Sequence, residues 1–452
     1  MIISLGIGAV RLERIAAFCG ALPPRERACV TPARLVTDSR EILPGDLFIA
    51  LHGKDDGHLY TKEAAHRGAV AVIAEKKTDA DIPHIIVQSA KRALGEWARS
   101  VLKETNAYRI GITGSVGKST AKDAIAAMLS TRFSVHATYQ NFNNDLGLPF
   151  TILETPKETR ILICEMGISH IGEMRPLSRI LMPHISLITC IGHAHIGAFG
   201  TRDAIAEEKA DILAFAEPNG LFIVPQNEKL LSFVPPNGIQ RMPVLPFAEK
   251  EIEEHRLPIV KEDLPRAFSL AYALAIAKAF SLTNEEIAEG FRRILAHNTH
   301  KSEELCGDIL LIDDTYNASP EAMLGALTYL SAKKENRRVA VLGDMLELGD
   351  ESARFHRAIG RFAAQKADLL FFFGKSASEY ARGAKAAGAV PLSDLNVKEP
   401  VFSVLEGDTE EMAKRITQNL KKGDVVLFKA ARAMAAENLV ATCKKRIFFE
   451  PR

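Results

Sequence analysis

The chain has 452 residues, of which 47% are hydrophobic and 25% charged, and its formal net charge is +1. This length exceeds that of one ordinary domain, so we expect two or three domains with large buried cores. The near-neutral charge gives no general attraction to nucleic acid or to anionic membranes, and no run approaches the roughly 18 apolar residues of a bilayer-spanning helix.

Six cysteines are scattered singly along the chain, and no CxxC pair occurs. This pattern argues against a disulfide framework and against a zinc site, and it favours a reducing compartment. The first segment, "MIISLGIGAV", has no basic residue before its apolar run, so we interpret it as the start of a strand or helix rather than as a signal peptide. Together these features predict a cytoplasmic protein.

Apolar runs alternate with helix-like stretches, which predicts an α/β fold with three domains. A small amino-terminal α/β domain, residues 1–105, carries "DLFIAL", "AVAVIAE" and "HIIVQS". A central domain, 106–297, carries "RIGIT", "RILICEMG", "HISLITCIG" and "GLFIVPQN", a pattern typical of the parallel sheet of a P-loop ATPase. A carboxyl-terminal domain, 298–452, repeats the alternation with "DILLIDD", "RRVAVLGDM", "ADLLFFFG" and "DVVLFKA", and we expect it to be Rossmann-like.

The stretch "GITGSVGKST", residues 111–120, lies between the predicted strand "RIGIT" and a predicted helix, which is the context of a phosphate-binding loop. Lys118 would neutralise the transferring phosphate and Ser119 would hold Mg²⁺. The pattern GxxxxGK[ST] requires glycine where Ile112 stands, so the loop is expected to turn at Thr113 and Gly114. A glycine-rich turn that caps a helix is the alternative. The predicted ATP-binding residues of the loop are Thr113, Gly114, Ser115, Val116, Gly117, Lys118, Ser119 and Thr120.

Further polar side chains follow the next predicted strands. Open α/β sheets bind ligands at the carboxyl ends of their strands, which makes Glu165 and His195 candidate site residues, and a carboxylate such as Glu165 suits Mg²⁺. Lys209 lies on a predicted helix, and Asn143 and Asn144 offer amide groups to phosphate oxygens. Each has a structural alternative when taken singly: a helix cap, a loop histidine, a solvated lysine and turn-forming asparagines.

The segments TGSVGKST, NFNNDLG, EMG, GHAHIGAFG and EEKADIL occur in this order, and together they resemble the ATP-dependent Mur ligases of peptidoglycan synthesis. The phosphate loop of that family reads TGxxGK[ST], which accounts for Ile112. Residues 36–58, 313–323, 341–349 and 428–437 are similar to the corresponding segments of the family members that add D-alanyl-D-alanine.

The resemblance implies that ATP phosphorylates the terminal carboxylate of UDP-N-acetylmuramoyl-tripeptide, and that the amine of D-alanyl-D-alanine then attacks the acyl phosphate. It implies that Ser119 and Glu165 hold the Mg²⁺ ion on the ATP side and that His195 holds a second one. Lys209 matches a lysine that family members carry as a carbamate, an anion able to join the metal site. The expected catalytic residues are therefore Lys118, Glu165, His195 and Lys209.

The resemblance also assigns roles to the outer domains. The amino-terminal domain would bind the UDP end, with Ser39, Arg40 and the segment "GHLY" near it; a helix-capping Ser-Arg pair is the alternative. The carboxyl-terminal domain would close over the nucleotide and shield the acyl phosphate from water.

Four residues of the carboxyl-terminal domain are expected at that closure. Asp314 and Asn317 would reach the nucleotide or the acyl-phosphate region. Lys429 and Arg432 would face the transferring groups and the substrate. Asp344 and Glu347 either join this site or act as structural caps.

The chain departs from the family pattern at three places. Ser269 and Tyr272 stand where the family has a His-x-x-Asn pair, so we expect Tyr272 to stack on adenine instead. The usual Lys-Gly-Ser-Arg reads Lys429-Ala-Ala-Arg432, and Lys301 would replace an arginine of the family.

Other functions remain open from the sequence alone. Another Mur-type ligase or a folylpolyglutamate-type ligase is the nearest rival. A P-loop GTPase switch would need an NKxD-like motif, which does not follow the loop, and a non-catalytic relative would be expected to lose Lys118, Glu165 or His195. We expect a monomer that acts on its nucleotide-linked and dipeptide substrates with ATP and Mg²⁺.

Overall fold

The computed structural model describes residues 1–53, 55–226, 238–245, 264–296, 302–333, 336–392 and 400–449. Within these residues the strands form three sheets, and each sheet uses one consecutive part of the chain. The predicted α/β class is therefore confirmed. The domain limits remain predictions, and both the limit at 297 and Lys301 lie outside the described residues.

The amino-terminal sheet comprises β1 (Ile2–Ser4), β2 (Arg34–Val36), β3 (Leu47–Ile49), β4 (Ala71–Ala74) and β5 (His84–Ile86), in that order. β1 runs antiparallel to β2, and the following neighbours are parallel. The helices are α1 (Leu12–Phe18), α2 (Thr61–His66) and α3 (Ala90–Lys103). The segment after β1 is bonded to the central domain, because Gly6 N–H donates to Leu153 O at 2.9 Å.

The central sheet comprises β6 (Tyr108–Thr113), β7 (Val135–Ala137), β8 (Ile161–Glu165), β9 (Ile185–Ile188), β10 (Leu221–Pro225) and β11 (Gln240–Val244). Its order is β11-β10-β9-β6-β8-β7, and all these pairs are parallel. Its helices are α4 (Lys118–Leu129), α5 (Gly147–Glu154), α6 (Met174–Leu181), α7 (Ile196–Phe199), α8 (Arg202–Ala210), α9 (Leu264–Ala279) and α10 (Asn284–Ala296). The strand interiors are apolar because helices cover both faces.

The carboxyl-terminal sheet comprises β12 (Ser302–Cys306), β13 (Ile309–Asp314), β14 (Arg338–Leu342), β15 (Leu369–Phe372), β16 (Val390–Pro391), β17 (Val401–Val404) and β18 (Val425–Lys429). Its order is β12-β13-β18-β14-β15-β17-β16, with β12 antiparallel to β13. The helices are α11 (Pro320–Ser331), α12 (Ser352–Ala363), α13 (Ala377–Ala386), α14 (Thr409–Thr417) and α15 (Glu437–Phe449).

Strand register brings the polar strand ends together. In the central sheet Ile112 pairs with Glu165, so the phosphate loop starts beside that carboxylate. In the carboxyl-terminal sheet Lys429 pairs with Asp314 on one side and with Leu342 on the other. Among the described residues, no helix combines the length and the apolar character that crossing a membrane requires.

Candidate active site

The phosphate loop begins where β6 ends, and two glycines set its shape. Gly114 has φ +146° and Gly117 has φ +84°, values that favour glycine. A Cβ at Gly114 would lie 1.9 Å from Thr189 Oγ1, so glycine is required there. Ile112 is a fully buried residue of β6, which explains why the turn starts two residues later than GxxxxGK[ST] suggests.

Helix α4 carries Lys118 and Ser119 in its first turn, directly after the loop. Lys118 Nζ donates to Gly114 O at 2.8 Å, so the ammonium group folds back over the loop. Burial lowers the pKa of Lys118, and the Glu165 carboxylate acts in the opposite direction. A helix N-terminus and an ammonium group at one loop are the features of an anion-binding site.

Tyr272 supports the phosphate loop from behind, which corrects the predicted stacking on adenine. Its side chain is 1% exposed, and its hydroxyl donates to Thr189 O at 2.8 Å. Thr189 in turn donates through Oγ1 to Val116 O at 2.6 Å. The ring lies in the apolar core of the central domain and stacks on half-buried Phe268, so it has no free face for a base; the neighbouring Ser269 is buried as well.

Glu165 ends β8 and is 1% exposed. Its backbone N–H donates to Thr138 Oγ1 at 2.9 Å, and Asn143 Nδ2 donates to its Oε2 at 3.5 Å. Its Oε1 accepts no hydrogen bond from any residue that the structure describes, and Lys122 Nζ lies 3.9 Å away. A buried carboxylate oxygen without a donor is unfavourable by itself, and a divalent cation would satisfy it. The residues therefore fit the implied Mg²⁺.

His195 and Lys209 belong to the same electrostatic cluster as Lys118. Burial lowers the pKa of His195; Glu347 raises it, and Lys118 and Lys209 lower it further. Lys209 is 2% exposed, and burial, followed by the charge of Lys118, lowers its pKa to about 7 against the opposing effects of Cys190 and Glu208. Lys118 thus acts electrostatically on both His195 and Lys209, and Glu165 acts on Lys118, so the three other side chains lie within electrostatic reach of Lys118.

The two asparagines predicted to contact ATP have different surroundings. Asn143 lies against Glu165, as described above. Asn144 Oδ1 accepts from Leu146 N at 3.2 Å and from Gly147 N at 2.9 Å, so it caps the start of α5. The turn-forming alternative therefore describes Asn144, while Asn143 stays at the candidate metal site.

Asp314, Asn317 and Lys429 meet at the carboxyl ends of β13 and β18. Lys429 is 3% exposed, and its Nζ lies 2.8 Å from Asp314 Oδ2 and donates to Asn317 O at 3.0 Å. Arg432 is 61% exposed, and its guanidinium lies 5.9 Å from the Tyr316 ring centroid. Sequence reasoning did not single out Tyr316, although "DDTYN" contains it. Its hydroxyl donates to Asn141 of the central domain.

Asp344 and Glu347 follow β14 but have different partners. Asp344 accepts from Lys375 N at 2.8 Å and from Ser376 N at 2.9 Å, so it caps the start of α13. Glu347 contacts His195 of the central domain. The structural alternative holds for Asp344, whereas Glu347 lies at the candidate site.

Ser39 and Arg40 have partners within the amino-terminal domain. Ser39 is 4% exposed, and its hydroxyl donates to Glu63 Oε2 at 2.6 Å. Arg40 is 76% exposed and donates to Asp38, and these hydrogen bonds lower the pKa of Asp38 to about 2. Their predicted substrate role remains a prediction.

The segment "GHLY" forms a 3₁₀ turn, Gly57–Tyr60. His58 Nδ1 lies 2.6 Å from Asp56 Oδ1, and its Nε2 accepts from Glu75 N at 2.9 Å. His52, Asp56 and His58 lie close enough for a cation. Both ring nitrogens of His58 are already used, however, and Nδ1 carries the proton, so the group is a hydrogen-bonded turn rather than a metal site.

Sequence reasoning missed two charged residues beside the predicted site. Lys122, one helical turn after Lys118, is 7% exposed, and its Nζ donates to Thr138 O at 2.7 Å. Glu321 of the carboxyl-terminal domain binds His193 at the central domain. The helical spacing of Lys118 and Lys122 could have revealed the first, but the second depends on contact between domains.

Known protein families and relatives resemble this chain over most of its length. The family model described as the Mur ligase middle domain matches residues 112–251, and that of the Mur ligase, glutamate ligase domain, matches residues 299–432. The UDP-N-acetylmuramoyl-tripeptide–D-alanyl-D-alanine ligase of Bacillus subtilis is 34% identical over 438 residues, which cover 90% of this chain and 92% of that protein.

Two solved structures show the same architecture. MurF from Acinetobacter baumannii superposes with a TM-score of 0.82 at 26% identity, covering 97% of this chain and 99% of that one. MurF ligase from Thermotoga maritima, in complex with ADP, has a TM-score of 0.76 at 27% identity, covering 91% and 97%. The fold, the strand-end residues and these matches lead to one conclusion: the chain belongs to the Mur ligase family.

Proposed function

We propose that this chain is an ATP-dependent ligase that joins D-alanyl-D-alanine to UDP-N-acetylmuramoyl-tripeptide, with release of ADP and phosphate. The observation that carries the proposal is the phosphate loop, which starts beside the buried carboxylate of Glu165 and leads into a helix that begins with Lys118. The similarity to the Bacillus subtilis ligase over most of both chains supports the choice of substrates.

The reaction must convert a poor electrophile into a reactive one. The terminal carboxylate of the tripeptide attacks the γ-phosphorus of ATP, the bond to the β-phosphate oxygen breaks, and an acyl phosphate forms. The dipeptide amine then adds to the acyl carbon, loses a proton, and inorganic phosphate leaves. Because two anions approach in the first step, the site must supply positive charge.

Lys118 supplies part of that charge from the protein. Its ammonium group is held at the phosphate loop by a hydrogen bond to Gly114 O. From there it can stay close to the phosphoryl group during the transfer. Ser119 and Glu165 would hold one Mg²⁺ and His195 a second, and bound Mg²⁺ would compensate further charge on the phosphates.

Lys209 fits the carbamate that the family resemblance implies. Carbamate formation needs a neutral amine, which attacks CO₂ to form an N–C bond and releases a proton. The pKa of about 7 gives Lys209 a substantial neutral fraction near neutral pH. The carbamate is an anion, so it would replace repulsion between Lys209 and Lys118 with attraction and would add a ligand to the metal site.

The outer domains supply binding and closure in this proposal. The amino-terminal domain, 1–105, binds the UDP end, and the carboxyl-terminal domain, 298–452, closes on the central ATP-binding domain, 106–297. The edge of the carboxyl-terminal domain that faces the central domain contacts it through Tyr316, whose hydroxyl binds Asn141. This edge carries Asp314, Asn317, Lys429 and Arg432. The enzyme acts as a cytoplasmic monomer in peptidoglycan precursor synthesis.

The test is phosphate release with ATP, Mg²⁺ and UDP-N-acetylmuramoyl-tripeptide, with and without D-alanyl-D-alanine. We expect release and the pentapeptide product when the dipeptide is present. Release with glutamate or single L-amino acids, and none with the dipeptide, would indicate a different amino-acid ligase of this family. Omission of Mg²⁺ should abolish release.

A further inference from the structure

Residues 192–197, here named the histidine loop, follow β9, include the first two residues of α7 and carry His193 and His195. Two contacts hold the start of the loop within the central domain. Gly192 N–H donates to Ser115 Oγ of the phosphate loop at 2.9 Å. The carbonyl of Ile191 accepts from Arg202 of α8 at 3.0 and 2.8 Å. The histidine loop is thus tied to the phosphate loop at its first residue.

Glu321, in the first turn of α11, holds His193 from the carboxyl-terminal domain. Its Oε1 accepts from the His193 backbone N–H at 3.0 Å and lies 2.6 Å from His193 Nδ1. An ionised carboxylate can only accept, so Nδ1 carries the proton. A Cβ at Gly192 would come within 2.5 Å of the Glu321 carboxyl carbon, so glycine at this position is what lets the carboxylate approach.

Glu347 makes the second contact from the carboxyl-terminal domain. Its carbonyl accepts from Gly197 N–H at 3.1 Å, and its carboxylate contacts His195 Nδ1. With the proton on Nδ1, the lone pair of His195 lies on Nε2, the nitrogen left for a cation. Metal-binding histidines commonly have their other ring nitrogen against a carboxylate, which fixes the ring.

Both His195 and Glu347 have φ +63°, a conformation that non-glycine residues rarely adopt. Such backbone persists where the surrounding contacts determine it. At this place the contacts come from two domains, because Gly197 and Gly349 approach so closely that a Cβ at Gly197 would lie 2.6 Å from Gly349 N. The conformation of the histidine loop therefore depends on the docked carboxyl-terminal domain.

We propose that Glu321 and Glu347 are positioning residues that fix the histidine loop and aim His195 Nε2 at the cation site, so that docking of the carboxyl-terminal domain completes this site. The inference rests on the proposed function, because that function requires the cation. Glu321 should have the larger effect, since its side chain is 30% exposed and makes two bonds, whereas that of Glu347 is 60% exposed.

The experiment uses the full chain with a non-hydrolysable ATP analogue and measures Mn²⁺ binding by electron paramagnetic resonance of the free ion. Glu321→Ala should weaken one class of bound Mn²⁺ by about tenfold, because the loop that carries His195 loses two hydrogen bonds to a carboxylate. Glu347→Ala should weaken the same class less. Glu321→Gln keeps an accepting oxygen and should retain most of the affinity. Glu351→Ala is the matched control, because Glu351 pairs with Arg354 on the exposed surface.

A second readout needs no metal. Amide hydrogen exchange of the peptide that covers the histidine loop should be about tenfold faster in metal-free Glu321→Ala than in the parent chain, because His193 N–H loses its acceptor. Unchanged exchange and unchanged Mn²⁺ affinity in Glu321→Ala would overturn the inference, and so would equal effects of Glu321→Ala and Glu351→Ala. If the parent chain itself binds no Mn²⁺ with the analogue, the proposed function fails first.

Discussion

The phosphate loop and the histidine loop are neighbours, yet they are held in different ways. The phosphate loop is fixed inside the central domain by Gly114, Gly117 and Thr189. The histidine loop takes its shape partly from Glu321 and Glu347 of the carboxyl-terminal domain. The shape of the phosphate loop therefore depends on one domain, whereas the cation site proposed at His195 depends on two, which would delay chemistry until the domains close.

The largest expected effect is at the phosphate loop. Lys118→Met removes the ammonium group and keeps the length of the side chain, so turnover should fall by about 10³-fold or more, equivalent to about 4 kcal/mol of lost transition-state stabilisation. Phosphate-release kinetics measure the effect, and the thermal unfolding midpoint serves as the control for folding. A loss of less than tenfold would show that the phosphoryl group does not pass Lys118.

A substitution at Lys209 tests the charge that this side chain contributes to the cluster of Lys118, His195 and Lys209. Lys209→Ala should lower turnover by about 10²-fold, because the proposed carbamate ligand is lost, and short carboxylates such as acetate should restore part of it by occupying the place of the carbamate. The assay is phosphate release with increasing carboxylate. Full activity without any carboxylate would exclude the carbamate role.

The pH dependence of carbamate formation gives a sharper test of the same residue. The neutral amine reacts with CO₂, and with a pKa of about 7 its fraction falls from about one half at pH 7 to about one tenth at pH 6. After removal of CO₂, reactivation by bicarbonate should therefore be about fivefold slower at pH 6 than at pH 7, at equal dissolved CO₂. A tenfold difference would indicate an amine whose pKa is not lowered, and equal rates would place the pKa well below 6; either result would contradict a pKa of about 7.

Substitutions at two glycines distinguish the two loops most directly. Gly114→Ala places a Cβ 1.9 Å from Thr189 Oγ1 within the central domain, so it should cost about 1–3 kcal/mol of folding free energy and weaken ADP binding about tenfold or more. Gly197→Ala meets Gly349 N of the other domain. Separation of the domains relieves that clash, so ADP affinity should stay near that of the parent chain while turnover falls about tenfold.

Calorimetric titration with ADP and the thermal unfolding midpoint distinguish the two variants. Loss of ADP affinity in Gly197→Ala would mean that the histidine loop is part of the nucleotide site itself. In that case the contrast between a one-domain site and a two-domain site would be wrong.

The sequence predicted the phosphate loop because its determinants are local: an apolar strand, two glycines and a helix start within one short stretch. Glu165 could be placed because parallel strands end at one edge of a sheet. Glu321 could not, because its bond to His193 joins residues 128 positions apart in different domains. The burial of Tyr272 could not be predicted, because its helix is apolar on most sides and residue spacing does not show which face is buried. Its hydroxyl binds a backbone carbonyl inside the core.

The smallest expected effect concerns this support behind the phosphate loop. Tyr272→Phe keeps the ring in the core and removes the hydrogen bond to Thr189 O, so the free energy of unfolding should fall by about 1 kcal/mol. Because Thr189 still donates to Val116 O, the loop keeps its shape, and the KM for ATP should change by less than about threefold. Thermal unfolding and initial rates measure both quantities. An unchanged midpoint would indicate that this buried hydrogen bond contributes no net stability.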